Sequence, residues 1–309
     1  MSFSSDAKST LPLVLGGNVF GWSADRDQSF AVLDAFLDSG GVHIDTADVY
    51  SQWVPGNTGG DSEEIIGEWL AARGNRDRVF VATKVGALAP YNNLSADSIA
   101  RAVEDSLRRL KTDYIDLYWA HRDDENTPQH ETLAAFDQLV QAGKVRYLGA
   151  SNFSADRLES ALKVSDTENL ARYVATQPLY NLLQHAEFES GLGPVALAND
   201  IAVLPYSGLA SGFLSGKYRR GVDVESVRSQ SVSRYFDDRG YQVLDAVTEV
   251  AAAHDVPVSA VALGWLAQQP GVLAPIASAR TPEQLAELAT LSSLTLSQDE
   301  LDRLRAAAA

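Results

Sequence analysis

The chain has 309 residues, 45% of them hydrophobic and 21% charged, the composition of a globular protein with a large core. Cysteine is absent and the single methionine is Met1, which excludes thiol catalysis, disulfide bonding and thiolate metal sites. A net charge of -16 argues against nucleic acid or an anionic membrane as partner, so any anionic ligand needs a local pocket of cations or amides.

The N-terminus, MSFSSDAKST, has no apolar core of signal-peptide length, and residues 1–10 read as a disordered lead-in. No later run approaches a membrane span, and the expected location is the cytoplasm. LPLVLGG at 11–17 then reads as a strand ending in a glycine turn, followed by a helix on which Phe30, Leu33, Phe36 and Leu37 recur at helical spacing. GVHIDTA is a second strand, and Asp61 is the expected N-cap of SEEIIGEWLAAR. VFVATK, YIDLYWAH, VRYLGAS and RYVATQ supply strands three to six. Between them stand helices such as the one capped by Ser95, with its stripe of Ile99, Val103, Leu107 and Leu110.

DIAVLPYS and GVLAPIASA complete eight strands. Ser215 to Gly240 reads as a long loop, and the acidic ends of the helices read as solvated faces. Near-continuous apolar strands alternating with helices predict one parallel sheet closed as an α/β (β/α)8 TIM barrel, a single domain over 1–309. An open dinucleotide-binding sheet would need a G-x-G-x-x-G turn, and the glycines of GGNVFG are spaced differently.

Three of these strands end in a polar residue of chemical interest: Asp45, Lys84 and His121. Tyr50 lies just beyond the first. Parallel barrels keep their chemistry where such ends converge. A tyrosine of ordinary pKa ~10 is a weak acid, and an adjacent ammonium is expected to bring it down. A carboxylate then balances the lysine, and a histidine orients a substrate oxygen. The group amounts to a proton donor for a carbonyl undergoing reduction, with the hydride left to a cofactor. Taken singly, each residue has a structural explanation, such as a turn cap for Asp45 or loop packing for Tyr50. A metal site built on His121, Asp123 and Asp124 is not expected, because His43, His130, His185 and His254 lack ligand spacing. Trp22, Trp53 and Tyr91 are candidates for the wall of an apolar substrate pocket.

IDTADVY, VATK, WAH, GASNF, TQPLYN, LPYSGLASGFLSGKY and PIASARTPEQL, in this order, resemble the motifs of the aldo-keto reductases, in particular the bacterial branch related to potassium-channel beta subunits. The resemblance runs from about Leu11 to about Leu291 and implies a catalytic tetrad of Asp45, Tyr50, Lys84 and His121. It further implies NADPH, with NADH less favoured, held in extended form and passing hydride to an aldehyde or ketone. By the same resemblance Ser151, Asn152 and Gln177 hold the carboxamide, Tyr206 stacks on nicotinamide, and Ser207, Leu209, Ser211 and Lys217 wrap the pyrophosphate. Ser278, Arg280, Gln284 and Glu287 match the segment around the adenosine and its 2′-phosphate, and Leu288 departs from the asparagine common there. The alternative role carried by the resemblance is a cofactor-binding, redox-sensing subunit with little turnover. The expected partner is a small carbonyl or alcohol substrate, and the oligomeric state is left open.

Overall fold

The computed structural model describes residues 3–7, 9–222, 224 and 229–308. Eight parallel strands form one curled sheet: β1 (Val14–Gly16), β2 (His43–Asp45), β3 (Phe80–Val85), β4 (Ile115–Ala120), β5 (Val145–Ser151), β6 (Tyr173–Gln177), β7 (Ala202–Val203) and β8 (Ile276–Ala277). Their spatial order is β7-β6-β5-β4-β3-β2-β1-β8, so consecutive strands are neighbours and β8 lies against β1. Val203 also exchanges backbone hydrogen bonds with the chain entering β8, donating to Gly271 O and accepting from Leu273 N at 2.9 Å each. Ile276 N donates to Pro205 O at the same distance.

Helices cross between the strands, as parallel connections require. Most have legible starts. Asp25 caps Arg26–Asp38 in a reciprocal capping box with Gln28, and Ser95, Ser154 and Asp237 cap the helices beginning at Ala96, Ala155 and Asp238. Asp61 is itself the first helical residue of Asp61–Arg73, whose cap is the left-handed Gly60. The stretch 215–240, expected to be loop, contains the short helices Ser229–Val232 and Ser233–Tyr235, and its residues 223 and 225–228 lie outside the described ones.

Side-chain alternation separates two apolar layers. Val81, Val85, Tyr118 and Ala120 face the helices. Phe80, Ala82, Leu117 and Trp119 face the concave side. Gly149 has to be glycine here, because a Cβ on it would lie 2.2 Å from Trp119 Cε3. Of the expected disordered lead-in, Met1, Ser2 and Lys8 lie outside the described residues. Phe3 packs edge-on against Phe80 and Tyr147 beneath the inner layer. Among the described residues no single helix is long and apolar enough to cross a membrane.

Candidate active site

The period of two that separates the layers also aims the polar strand ends. On β4, Trp119 faces inward, so His121, two residues on, follows it. On β3, Lys84 follows Ala82, which is paired in register with Asp45 of β2. Asp45, Lys84 and His121 therefore converge at the carboxyl ends of the strands, and the turn after β2 brings Tyr50 over them.

Lys84 is fully buried, and its ammonium spends all three protons at close range. It donates to Asp45 Oδ2 at 2.5 Å, to the Thr46 carbonyl at 2.6 Å and to the Tyr50 hydroxyl oxygen at 3.0 Å. Gln177 Nε2 donates to the other Asp45 oxygen at 3.0 Å, so the carboxylate is satisfied on both sides. The Tyr50 and His121 rings meet edge to face with centroids 6.1 Å apart.

Burial alone would lower the pKa of Lys84, but the attraction of Asp45 and Tyr50 outweighs it and holds the pKa above its ordinary value. For Tyr50 the balance differs from the expectation. Burial is the largest influence and raises the phenol above 10; Lys84 opposes the rise without reversing it. Burial, reinforced by Lys84 and Arg122, pushes His121 well below its ordinary value and keeps it neutral near pH 7.

These groups stand at one part of a cavity of about 1050 Å³. Asp45, Tyr50 and His121 line it, with Lys84 underneath. All twelve further residues singled out from the sequence line it as well: Ser151, Asn152, Gln177, Tyr206, Ser207, Leu209, Ser211, Lys217, Ser278, Arg280, Gln284 and Glu287. Ser151, Asn152 and Tyr206 form a chain, in which Asn152 Nδ2 donates to Ser151 Oγ at 3.0 Å and the Tyr206 hydroxyl donates to Asn152 Oδ1 at 2.8 Å. Asn152 Nδ2 also reaches His121 O at 2.9 Å, tying this chain to the tetrad.

In the loop after β7, Ser207, Ala210, Ser211 and Gly212 all have positive φ, between 48° and 100°. Such a run turns successive amides toward a concavity suited to an anion, and Lys217 lines the same wall. Arg280 and Gln284 stand where helix Pro282–Ala289 begins, the Arg280 amide donating to Gln284 Oε1 at 3.0 Å.

Sequence reasoning missed the first loop. Asn18 and Val19 line the cavity, and Asn18 Oδ1 accepts from Ser278 Oγ at 2.6 Å. Their signal was position alone, since GGNVFG follows a strand at the same end as the other site loops. Trp22 lines the cavity, and Trp53, half exposed, meets Trp22 and Tyr50 edge-on at 5.6 and 6.3 Å. Tyr91 is not among the lining residues and packs on the outer core. Asp123 pairs with Arg157 at 2.6 Å, and Asp124 accepts from the Leu94 amide and the Thr127 hydroxyl. Among the described residues no three His, Cys, Asp or Glu are gathered as metal ligands.

A model described as the Aldo/keto reductase family matches residues 12–309. Protein tas of Escherichia coli (strain K12) is 32% identical over 322 residues, covering 95% of this chain and 93% of that protein. Aldo-keto reductase YhdN of Bacillus subtilis (strain 168) is 34% identical over 298 residues, 93% and 86% of the two chains. A probable voltage-gated potassium channel subunit beta of Oryza sativa subsp. japonica is 30% identical over 279 residues, 87% and 83% of the two chains.

Proposed function

The chain belongs to the aldo/keto reductase family, and from that premise we propose that it reduces an aldehyde or ketone to the alcohol with NADPH, Tyr50 acting as general acid. One observation carries the reading: a phenol kept protonated by burial, hydrogen-bonded at 3.0 Å to a buried lysine, on the wall of a large cavity.

The residues present fit the cofactor. The positive-φ loop and Lys217 suit a pyrophosphate, Arg280 suits a 2′-phosphate, and Ser151, Asn152 and Gln177 offer donors and acceptors to a carboxamide. When bound, the nicotinamide supplies the hydride. The chain handles the proton. Tyr50 gives its hydroxyl proton to the carbonyl oxygen as the C–O bond takes on alkoxide character. Lys84 stabilises the phenolate left behind, and Asp45 holds Lys84 in place. Neutral His121 orients the carbonyl oxygen by a hydrogen bond. On the same reading the sheet is a closed (β/α)8 barrel forming a single domain, supported by the bonds between Val203 and the chain entering β8.

The test is oxidation of NADPH and NADH by the purified protein with an activated aromatic aldehyde, repeated with Tyr50→Phe. Loss of at least about 100-fold in turnover, with cofactor affinity kept, is the expected result. Full turnover by the variant refutes Tyr50 as the acid. Tight cofactor binding with no wild-type turnover selects the redox-sensing subunit instead.

A further inference from the structure

A second buried charge cluster lies on the outer side of β3, back to back with the tetrad. Thr83, beside Lys84 in sequence and so on the opposite face, donates to Glu63 Oε1 at 2.5 Å. The other Glu63 oxygen accepts from Arg109 Nε at 2.6 Å, and Glu63 is fully buried. Asp48 joins this cluster from the turn that carries Tyr50. It is 1% exposed, its Oδ1 has no hydrogen-bond partner among the described residues, and its amide approaches the Lys84 carbonyl at 3.4 Å.

Charge balance fixes the state of Asp48. Lys84 is matched by Asp45 and Arg109 by Glu63, so an ionised Asp48 is one buried negative charge too many. The groups facing it are Tyr50 of its own turn, Glu63 of helix Asp61–Arg73, Arg109 of helix Ala96–Leu110 and Lys84 of β3, with the buried Tyr118 hydroxyl of β4 in the same cluster. Burial first, and Glu63 second, push the Asp48 carboxyl up to about 8 against the pull of Arg109, the Val49 amide and Lys84.

We propose that Asp48 is a positioning residue for Tyr50: as a neutral acid it lets the turn after β2 rest on the Glu63–Arg109 pair, and as a carboxylate it repels Glu63 and displaces the turn from Lys84. The proposal rests on the reductase reading, in which Tyr50 must stay within reach of Lys84. Because the folded carboxyl titrates above the unfolded one, the native state keeps a proton that the unfolded chain has lost. Its contribution to stability is full below about pH 4 and falls as pH rises toward 8, levelling once both states are ionised.

The experiment follows wild type, Asp48→Asn and Glu63→Gln from pH 5 to 9.5 by thermal midpoint and by turnover of an activated aldehyde. Asp48→Asn removes the titrating group, and Glu63→Gln frees Arg109 to pair with Asp48. Wild type is expected to lose midpoint relative to either variant as pH rises to 8. Its kcat is expected to fall about tenfold per pH unit above 8, a limb that either variant pushes to higher pH while KM changes little. A wild-type slope and alkaline limb shared by both variants overturns the proposal, and if only one variant folds, the same behaviour in that one is enough to overturn it. Absence of wild-type turnover refutes the reductase reading, and the midpoint series then still decides whether Asp48 titrates as described.

Discussion

Replacing Lys84 by methionine removes the charge at the centre of the tetrad while nearly filling its volume. The side chain is wholly buried and makes three hydrogen bonds, so the variant strips Asp45 of its counter-ion and leaves it, among the described residues, the Gln177 amide. Breaking a buried ion pair from one side destabilises by about 3–5 kcal/mol, and urea unfolding of Lys84→Met at pH 7 is expected to show a loss of that size. Adding Asp45→Asn removes the stranded charge, and the double variant is expected to be more stable at pH 7 than Lys84→Met alone. A loss below about 1 kcal/mol at pH 7, or a double variant no more stable than the single, refutes the view that this pair is a buried, mutually compensating charge couple.

Arg280→Ala is expected to raise the dissociation constant of NADPH about tenfold and that of NADH less than about twofold, read by quenching of tryptophan fluorescence. Equal losses for both cofactors would place the 2′-phosphate elsewhere. Gly67→Ala is expected to destabilise by about 1–3 kcal/mol in urea unfolding, although alanine favours a helix. A Cβ at this position would lie 2.1 Å from the Arg109 carbonyl, forcing apart the helices Asp61–Arg73 and Ala96–Leu110.

The tetrad was legible because parallel strands covered on both faces are apolar almost throughout, so a polar residue at a strand end stands out. Asp45, Lys84 and His121 had that signature, and the positions are dictated by alternation, which sequence carries directly. The loop after β7 was legible only by resemblance. Ser207, Ala210 and Ser211 adopt positive φ against their own preference, a conformation imposed by packing and invisible in residue type. The strands β7 and β8 are two residues each, so their place in the sheet depends on neighbours more than on their own pattern. Glu63 was hidden for a related reason. An acid in the first turn of a helix is ordinarily a solvated partner of the dipole, and only the approach of Arg109 and Thr83 makes this one buried.

Residue types and folded structure part company at the pairing of Tyr50 with Lys84. From residue types alone, an ammonium beside a phenol lowers its pKa. In the folded chain, burial overcomes that pull and the phenol rests above its ordinary value. Part of the reason is that Lys84 is already committed to Asp45 at 2.5 Å, so its field at Tyr50 is partly cancelled. A proton donor benefits from this arrangement, since the hydroxyl is protonated throughout the neutral range when a carbonyl arrives. With Tyr50 as the proposed acid, the ammonium then acts mainly on the phenolate that forms as the proton leaves, which is the species whose charge grows along the reaction. Lys84 on this view acts on the transition state more than on the resting acid.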